Sequence, residues 1–311
     1  MERRGSRPLS AGEAPNREPV VHPLPHIEGL IAGTYEIRVL DMDRRYLVIQ
    51  PGGIDPATVP TIIDLHGSGL SPEEHVAVTD ARSFAALGAV MVIPQAGIPF
   101  RLLAEWPAGW AWNVPGSPLP GESAARDEPN DMAFIDALTS RLIEQHGVVP
   151  RRIHLRGFPG GARLSSHLMA AMANRLASVC CVSGVRFFPS SGELSPLLAM
   201  HGRLDALNPY EGGNGPRWTE SVESAVYQWA LASGCVPTPQ YRSIADEVCE
   251  TRYADSTGFA AVRLITIADA AHSWPGTSQS DHIAQFGAPG SFSVSQAHWD
   301  FTARLIREGS A

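Results

Sequence analysis

The fold is decided by the stretch Arg152-Ile153-His154-Leu155-Arg156-Gly157-Phe158-Pro159-Gly160-Gly161-Ala162-Arg163-Leu164, which passes from an apolar run through a glycine-rich corner into a helical pattern. A strand, a tight turn and a helix in that order can carry a G-x-S-x-G motif, whose serine is a nucleophile. Gly157 and Gly161 keep that spacing, but Pro159 occupies the serine position. The sequence therefore predicts the corner without the hydroxyl group that would attack a carbonyl.

The composition is that of a globular protein with enough apolar material for a full core. The chain has 311 residues, of which 44% are hydrophobic and 18% charged. A formal charge of −8 without a basic cluster argues against nucleic acid as a partner. All 24 basic residues are arginine, which excludes Schiff-base chemistry, a pyridoxal phosphate anchor and a P-loop lysine. We expect a small-molecule substrate and no cofactor.

The termini and the cysteines bear on the compartment. The early charges at 2–4 are followed by Gly, Ser, Pro and Glu instead of an apolar run, which predicts no signal peptide. No apolar run approaches the ~20 residues of a membrane span, so we expect a cytoplasmic protein without a membrane partner, of open oligomeric state. The four cysteines are expected as thiols, with a Cys235–Cys249 disulfide as the alternative. No cysteine or histidine spacing indicates a metal site.

Strand and helix patterns alternate along the chain after a Pro-, Arg- and Glu-rich arm at 1–28, which we predict to be disordered or loosely docked. The rest, 29–311, is predicted to be one α/β domain with a mostly parallel sheet of about eight strands flanked by helices. The Gly-, Pro- and Trp-rich segment 95–127 is predicted to be a lid or substrate-binding loop. The predicted strands are 34–40, 45–50, 61–65, 89–93, 152–155, 179–182, 197–200 and 262–267. The predicted helices are 73–87, 131–145, the one leaving the corner to about 176, 220–232 and 293–307.

Polar groups follow four of these strands, at the carboxyl edge where such sheets carry their sites. They are His66-Gly67-Ser68-Gly69, the proline corner, His201-Gly202-Arg203-Leu204-Asp205, and His272-Ser273-Trp274-Pro275-Gly276. Nucleophile, acid and histidine in that chain order is the arrangement of an α/β-hydrolase triad. Two of the three members, Asp205 and His272, are present.

A wider set of residues carries a family resemblance from about 34 to 307. They are Ile62-Ile63-Asp64-Leu65-His66-Gly67, Trp112-Asn113, Asn130-Asp131-Met132-Ala133-Phe134-Ile135, Pro150-Arg151-Arg152-Ile153, His201-Gly202, Asp205, Trp229, Gly234-Cys235 and His272-Ser273-Trp274-Pro275-Gly276. In this order they resemble the polyhydroxybutyrate depolymerase and feruloyl esterase branch of the α/β-hydrolases, esterases acting on polyesters and aryl esters. The chain departs from that branch at Pro159 and in lacking its usual export signal.

The resemblance implies an α/β-hydrolase fold with Asp205 as the triad acid and His272 as the base. It also implies an oxyanion hole formed by the backbone N–H groups of Gly67 or Ser68 and of Gly160. Proline complicates this assignment, because the nucleophile of the family lies at positive φ whereas proline is restricted to φ near −65°. We therefore expect the Gly160-Gly161 pair to absorb the bend, the Gly160 N–H to be redirected, and the floor to be unfavourable to an oxyanion.

Other residues near the predicted site have a structural and a functional interpretation. The tryptophans Trp106, Trp110 and Trp112 pack a lid or form an aromatic wall, and Asn113, Phe158 and Trp274 are further candidates for substrate binding. Asp64 is interpreted as structural, while His66 and His201 satisfy loop carbonyls or touch a ligand. Substitute nucleophiles are sought among Ser68, Ser273, Ser165 and Ser166, the last two lying about 9 Å along the helix.

Two function classes remain open from the sequence. In the first, a His272/Asp205 general base acts without covalent intermediate or cofactor on a small aromatic or polyketide-like substrate, in hydrolysis, elimination or cyclisation. In the second, the chain is a degenerate esterase that binds or regulates. The first is favoured, because a relic has less reason to keep both the acid and histidine loops. An esterase with a displaced serine nucleophile ranks third.

Overall fold

The computed structural model describes residues 29–102, 108–172, 174–213 and 215–308. The arm 1–28 and Trp106 lie outside these ranges. The strands are β1 (Leu30–Val39), β2 (Met42–Pro51), β3 (Thr61–Leu65), β4 (Val90–Pro94), β5 (Ile98–Phe100), β6 (Gly109–Ala111), β7 (Ile153–Gly157), β8 (Ser178–Val182), β9 (Leu197–Gly202), β10 (Gln240–Ala245), β11 (Val248–Tyr253) and β12 (Val262–Ile267). The α-helices are α1 (Pro72–Thr79), α2 (Ala81–Ala86), α3 (Asp131–His146), α4 (Gly160–Ala171), α5 (Val222–Ala232), α6 (Ser280–Phe286) and α7 (Val294–Glu308).

Ten of the described strands form one sheet, in the order β1-β2-β4-β3-β7-β8-β9-β12-β11-β10. The six central strands, β4, β3, β7, β8, β9 and β12, are parallel to one another. An antiparallel hairpin flanks them on each side, β1 with β2 and β10 with β11. Strands β3, β4, β7, β8 and β9 are buried at every residue, as expected for parallel strands covered by helices on both faces. The predicted parallel, helix-flanked sheet is confirmed, and the carboxyl ends of β3, β7, β9 and β12 share one edge.

The sheet is larger than the predicted eight strands because the hairpin of β10 and β11 was not recognised. Strand β10 lies at the edge and is exposed at nearly every residue, so it has no apolar alternation to find. The predicted helix 73–87 is two helices, since Asp80 adopts the left-handed conformation (φ 51°) between α1 and α2. Helix α4 ends at Ala171 instead of about 176.

Local signals explain where several helices begin. Ser71 and Glu74 form a capping box ahead of α1, Asn130 accepts from the Ala133 N–H at the start of α3, and Ser221 accepts from the Ser224 N–H at the start of α5. Helix α4 has no side-chain cap, and its N-terminal position is taken by Pro159. The N–H groups of Gly161 and Arg163 bond to the carbonyls of Phe158 and Pro159, while the Gly160 N–H bonds to no residue that the structure describes.

The loop 95–127 holds a small sheet of its own in the part that the structure describes. Strand β5 pairs antiparallel with β6, and the backbone of Trp110 bonds to Leu70, which ties the loop to the segment after β3. All four cysteines are free, so the Cys235–Cys249 disulfide is not formed. Among the described residues, no helix has the length and apolar character needed to cross a membrane.

Candidate active site

The acid and histidine loops meet at the carboxyl edge, because β9 and β12 are neighbouring parallel strands. The Nδ1 of His272 lies 2.9 Å from Oδ1 and 2.8 Å from Oδ2 of Asp205. An ionised carboxylate can only accept, so the shared proton is on Nδ1 and the basic lone pair of neutral His272 is on Nε2. This is the tautomer of a general base.

Asp205 is buried but is held in its ionised form by its neighbours. Its Oδ1 accepts from the backbone N–H groups of Leu207 (3.0 Å) and Asn208 (2.7 Å), and its Oδ2 lies 3.3 Å from Nε2 of His201. Burial raises the pKa of Asp205, but the charge of His272 and the hydrogen bonds from His201 and His272 outweigh it, and the pKa lies well below its usual range. His201 thereby positions the carboxylate and does not enter the cavity.

The proline corner is helical. Pro159 has φ −45° and ψ −50°, its carbonyl accepts from the Arg163 N–H at 3.0 Å, and the Phe158 carbonyl accepts from the Gly161 N–H at 2.8 Å. The expectation that Gly160 and Gly161 absorb the bend is wrong, since both lie in α4 and neither has positive φ. Proline suits the first positions of a helix because its fixed φ is helical and its missing N–H is not needed there.

Close approach, not backbone freedom, explains Gly161. A Cβ on Gly161 would collide with the carbonyl oxygen of Leu65, where α4 crosses β3, whereas a Cβ on Gly160 would meet the Ser68 Oγ, a side-chain atom that can rotate away. The N–H groups of Gly67, Ser68 and Gly160 make no hydrogen bond to any residue that the structure describes. They are therefore unpaired within the described residues, which does not support the expected floor unfavourable to an oxyanion, while the redirection of the Gly160 N–H stays a prediction.

A cavity of about 160 Å³ lies in front of His272. The aromatic rings of Phe158 and Phe286 stand 6.0 and 5.6 Å from the His272 ring, centroid to centroid. Burial, then the charges of His272 and His75, lower the pKa of the neighbouring His282 to about 3, so its ring is neutral. The lining residues are Gly67, Ser68, Leu70, Leu102, Pro120, Phe158, Pro159, Gly160, Arg163, Leu207, Asn208, Arg217, His272, His282 and Phe286.

Several residues expected to bind substrate are used by the fold instead. Trp112 is buried and donates from Nε1 to the His66 carbonyl at 2.8 Å, and Asn113 bonds to Asp131 and Pro129. Trp274 is buried against Phe158 and His75, and Trp110 belongs to β6. None of Trp110, Trp112, Asn113 and Trp274 lines the cavity, which therefore differs from the expected tryptophan wall. Trp112 shows the reason, because a buried indole N–H needs an acceptor and finds one in the protein backbone.

The alternative nucleophiles separate clearly. Ser165 and Ser166 donate to the carbonyls of Gly161 and Ala162, and Ser273 donates to that of Gly287. These three hydroxyls are buried and occupied. Ser68 alone of the four lines the cavity.

His66 and Asp64 have structural partners. The Nε2 of His66 accepts from the Ala96 N–H at 3.0 Å, so its Nδ1 carries the proton and donates to the Gly67 carbonyl at 2.9 Å. Asp64 is ion-paired with Arg156 and lies 3.1 Å from Nε2 of His75. Both residues therefore have the structural interpretation.

The sequence did not point to Arg163, Arg217, His282 or Phe286, which all line the cavity. Arg163 had a signal, because it is the one charged residue of α4 and lies two residues after the glycine pair, in the first turn. The others come from the loop before α5 and from the short helix α6, where no pattern indicates proximity. In the ranges described, no group of three His, Cys, Asp or Glu side chains is arranged to hold a metal ion.

Solved structures share this architecture, whereas no protein-family model and no curated protein matches the sequence. An acetyl xylan esterase from Aspergillus awamori is 13% identical, with a TM-score of 0.55 over 81% of this chain and 98% of that one. A putative dienelactone hydrolase from Klebsiella pneumoniae is 15% identical (TM-score 0.52, 89% and 98%), and a prolyl endopeptidase is 14% identical (0.55, 90% and 39%). At these identities the likeness shows the fold alone. The chain has the α/β-hydrolase fold.

Proposed function

We propose that this α/β-hydrolase-fold protein is a cofactor-free enzyme in which His272, oriented by Asp205, acts as a general base without a covalent intermediate. One observation carries the proposal: the His272 ring lines the cavity with Nδ1 bound to Asp205, opposite a corner whose residue, Pro159, has no nucleophile. The base of a triad is thus kept while its serine is absent.

The proposed chemistry follows from the proton positions. Nε2 of His272 accepts a proton from water or from an acidic group of the substrate, and Asp205 stabilises the imidazolium that forms. The N–H groups of Ser68 and Gly160 stabilise negative charge that develops on the substrate. Hydrolysis, elimination and cyclisation all suit this arrangement. The rings of Phe158 and Phe286 favour a small aromatic or flat polyketide-like substrate.

The test replaces the base and follows two kinds of model reaction. Turnover of 5-nitrobenzisoxazole reports proton abstraction, while p-nitrophenyl and feruloyl esters report acyl transfer. We expect His272→Ala to lower proton abstraction by roughly 10²–10⁴-fold. His146→Ala, at the exposed end of α3, is the matched control and keeps wild-type rates. Equal rates for His272→Ala and wild type contradict the proposal and leave a binding protein as the interpretation.

An esterase with Ser68 as nucleophile is the second candidate, because Ser68 lines the cavity beside Gly160. A fluorophosphonate probe separates it from the first. We expect no adduct by intact mass, since Pro159 supplies no hydroxyl. An adduct mapped to Ser68 restores a serine esterase with a displaced nucleophile, closer to the depolymerase and feruloyl esterase branch.

A further inference from the structure

Arg163 is a buried charge without a partner. It lies in the first turn of α4 and is 4% exposed. Its Nε and Nη1 atoms are buried and make no hydrogen bond, and within the described part of the chain it forms no ion pair. The side chain lines the cavity together with Pro159 and His272. A native fold leaves few such groups unsatisfied, so this one calls for an explanation.

A second arginine shares the same wall. Arg217 also lines the cavity, and its Nε is buried without a partner. Arg186, behind them, differs: its guanidinium donates to the carbonyls of Glu220 and Arg217 and stacks 3.0 Å from the Trp218 ring centroid. Arg186 therefore supports the fold, while Arg163 and Arg217 line the cavity that holds His272. An adjoining recess of about 140 Å³, which both also line, enlarges that space.

Electrostatics makes the unpaired charge of Arg163 unfavourable. Burial, then the charges of Arg217 and Arg186, lower the pKa of Arg163 to about 9. A guanidinium keeps its proton at neutral pH, so the cost remains as an uncompensated positive charge. The N-terminus of α4 adds partial positive charge at the Gly160 N–H. A bound anion would compensate the positive charge of the arginines and of the helix N-terminus.

The acidic groups nearby do not fill this role. Asp205 is bonded to His272, His201 and two backbone N–H groups. Glu74 and Asp281 line a separate recess of about 300 Å³ on the far side of Ser68 and His282. Glu220 lines the recess of about 140 Å³ with Arg163 and Arg217, but its carboxylate oxygens accept from the Phe187 N–H at 3.2 Å and from Nε2 of Gln228 at 2.7 Å. No Asp or Glu among the described residues lines the cavity itself.

We propose that Arg163 and Arg217 bind a carboxylate of the substrate, so that the cavity takes small carboxylic acids with their reacting atoms towards His272. A carboxylate matches the planar fork of a guanidinium. Pro120 and Leu207, which also line the cavity, are apolar, and Nδ2 of Asn208 already donates to the Ser183 carbonyl, so these side chains offer few donors for the additional oxygens of a phosphate. The inference rests on the proposed function only in placing the anion in the substrate cavity.

Binding of simple acids to the full chain tests the inference without turnover. The probes are acetate, propionate, benzoate and phenylacetate, each beside its primary amide, with inorganic phosphate as a further arm, measured by calorimetry and by the shift in unfolding temperature. We expect at least one acid to bind about ten- to a hundredfold more tightly than its amide. Equal binding of every acid and amide, no binding of any acid, or tighter binding of phosphate overturns the carboxylate assignment.

Arg163→Met locates the site, because methionine keeps an apolar stem of similar width. The variant is expected to unfold at the wild-type temperature or above it, and to lose the preference for the acid over the amide. Arg217→Met is the second variant should the first not fold. Arg151→Met removes an exposed arginine at the opposite end of β7 and keeps the wild-type preference. Retention of the preference in both cavity variants places the acid elsewhere and overturns the inference.

The same measurement on His272→Ala distinguishes the two proposals. If this variant still prefers the acid over the amide and turns over 5-nitrobenzisoxazole at the wild-type rate, the general-base proposal is wrong and the carboxylate site is supported. If turnover depends on His272 but the wild type shows no preference for the acid over the amide, the general base is supported and the carboxylate site is wrong.

Discussion

Two buried arginines close together in the chain differ in what surrounds them. Arg156, on β7, is 0% exposed, binds both oxygens of Asp64, and lies 4.5 Å from the Phe84 ring centroid. Arg163, on α4, is almost as buried and has none of these partners. A buried charge that the protein itself compensates belongs to the fold. One that it leaves uncompensated beside a cavity indicates a ligand.

The largest expected effect is the difference in stability between the variants Arg156→Met and Arg163→Met. Arg156→Met leaves Asp64 ionised and buried with only His75 beside it, and we expect the free energy of unfolding in urea to fall by about 3–5 kcal/mol. Arg163→Met removes a charge that pairs with nothing, so no loss is expected. A comparable loss for both variants contradicts the distinction between a structural and a ligand-binding arginine.

The double variant Asp64→Leu/Arg156→Met is the control for that result. It removes both charges, and apolar replacement of a buried ion pair is often neutral. We expect it to recover much of the stability lost in Arg156→Met. Failure to recover would assign the loss to the packing of Arg156 against Phe84 and Trp274 instead of to its charge.

The next prediction is the loss of stability at acidic pH that buried, neutral histidines cause. Burial lowers the pKa of His66, His154 and His282 to about 3. Above the ordinary histidine pKa of 6.5 both states are neutral and these groups contribute no pH dependence. Below it the unfolded chain binds protons that the folded chain does not, so stability falls as pH drops from 6.5 towards about 3. Each such histidine contributes about 1.4 kcal/mol per pH unit in that window.

Unfolding free energies measured at several pH values give this slope. His154→Gln is a suitable comparison, because His154 lies away from the cavity and bonds through Nδ1 to the Ser178 Oγ at 2.8 Å. We expect its slope to be shallower than that of the wild type by about one proton. An unchanged slope would mean that His154 is protonated in the folded protein.

The frame of the fold was predictable because its signals are local. Strand β12 and helix α3 were placed within a residue, since a buried β-branched run and an Asn130-capped apolar pattern determine them. The meeting of Asp205 with His272 also followed from the sequence, because the carboxyl ends of neighbouring parallel strands share an edge. The exposed strand β10 has no such pattern and was missed.

The walls of the cavity were not predictable for a related reason. Arg217 comes from a single 3-10 turn, Gly215–Arg217, and Phe286 from α6, and their place beside His272 depends on how distant segments pack. The sequence left lid packing and an aromatic wall open for the three tryptophans of the loop 95–127. The structure buries Trp112 through a bond to the His66 carbonyl, which no spacing in the sequence could indicate.

The smallest expected effect concerns the corner that connects the two arginines. Pro159→Ser supplies the missing residue type of a Ser-Asp-His triad. The residue at this position is helical, however, and its carbonyl accepts from the Arg163 N–H. Because a nucleophile needs the strained turn, we expect little hydrolysis of p-nitrophenyl and feruloyl esters. Losing proline from a conformation that suits it should cost about 0.4–1 kcal/mol in the free energy of unfolding. The acid preference should stay, because Arg163 keeps its place in α4. Strong ester hydrolysis by this variant would mean that the corner returns readily to the esterase turn, which favours a relic over a repurposed enzyme.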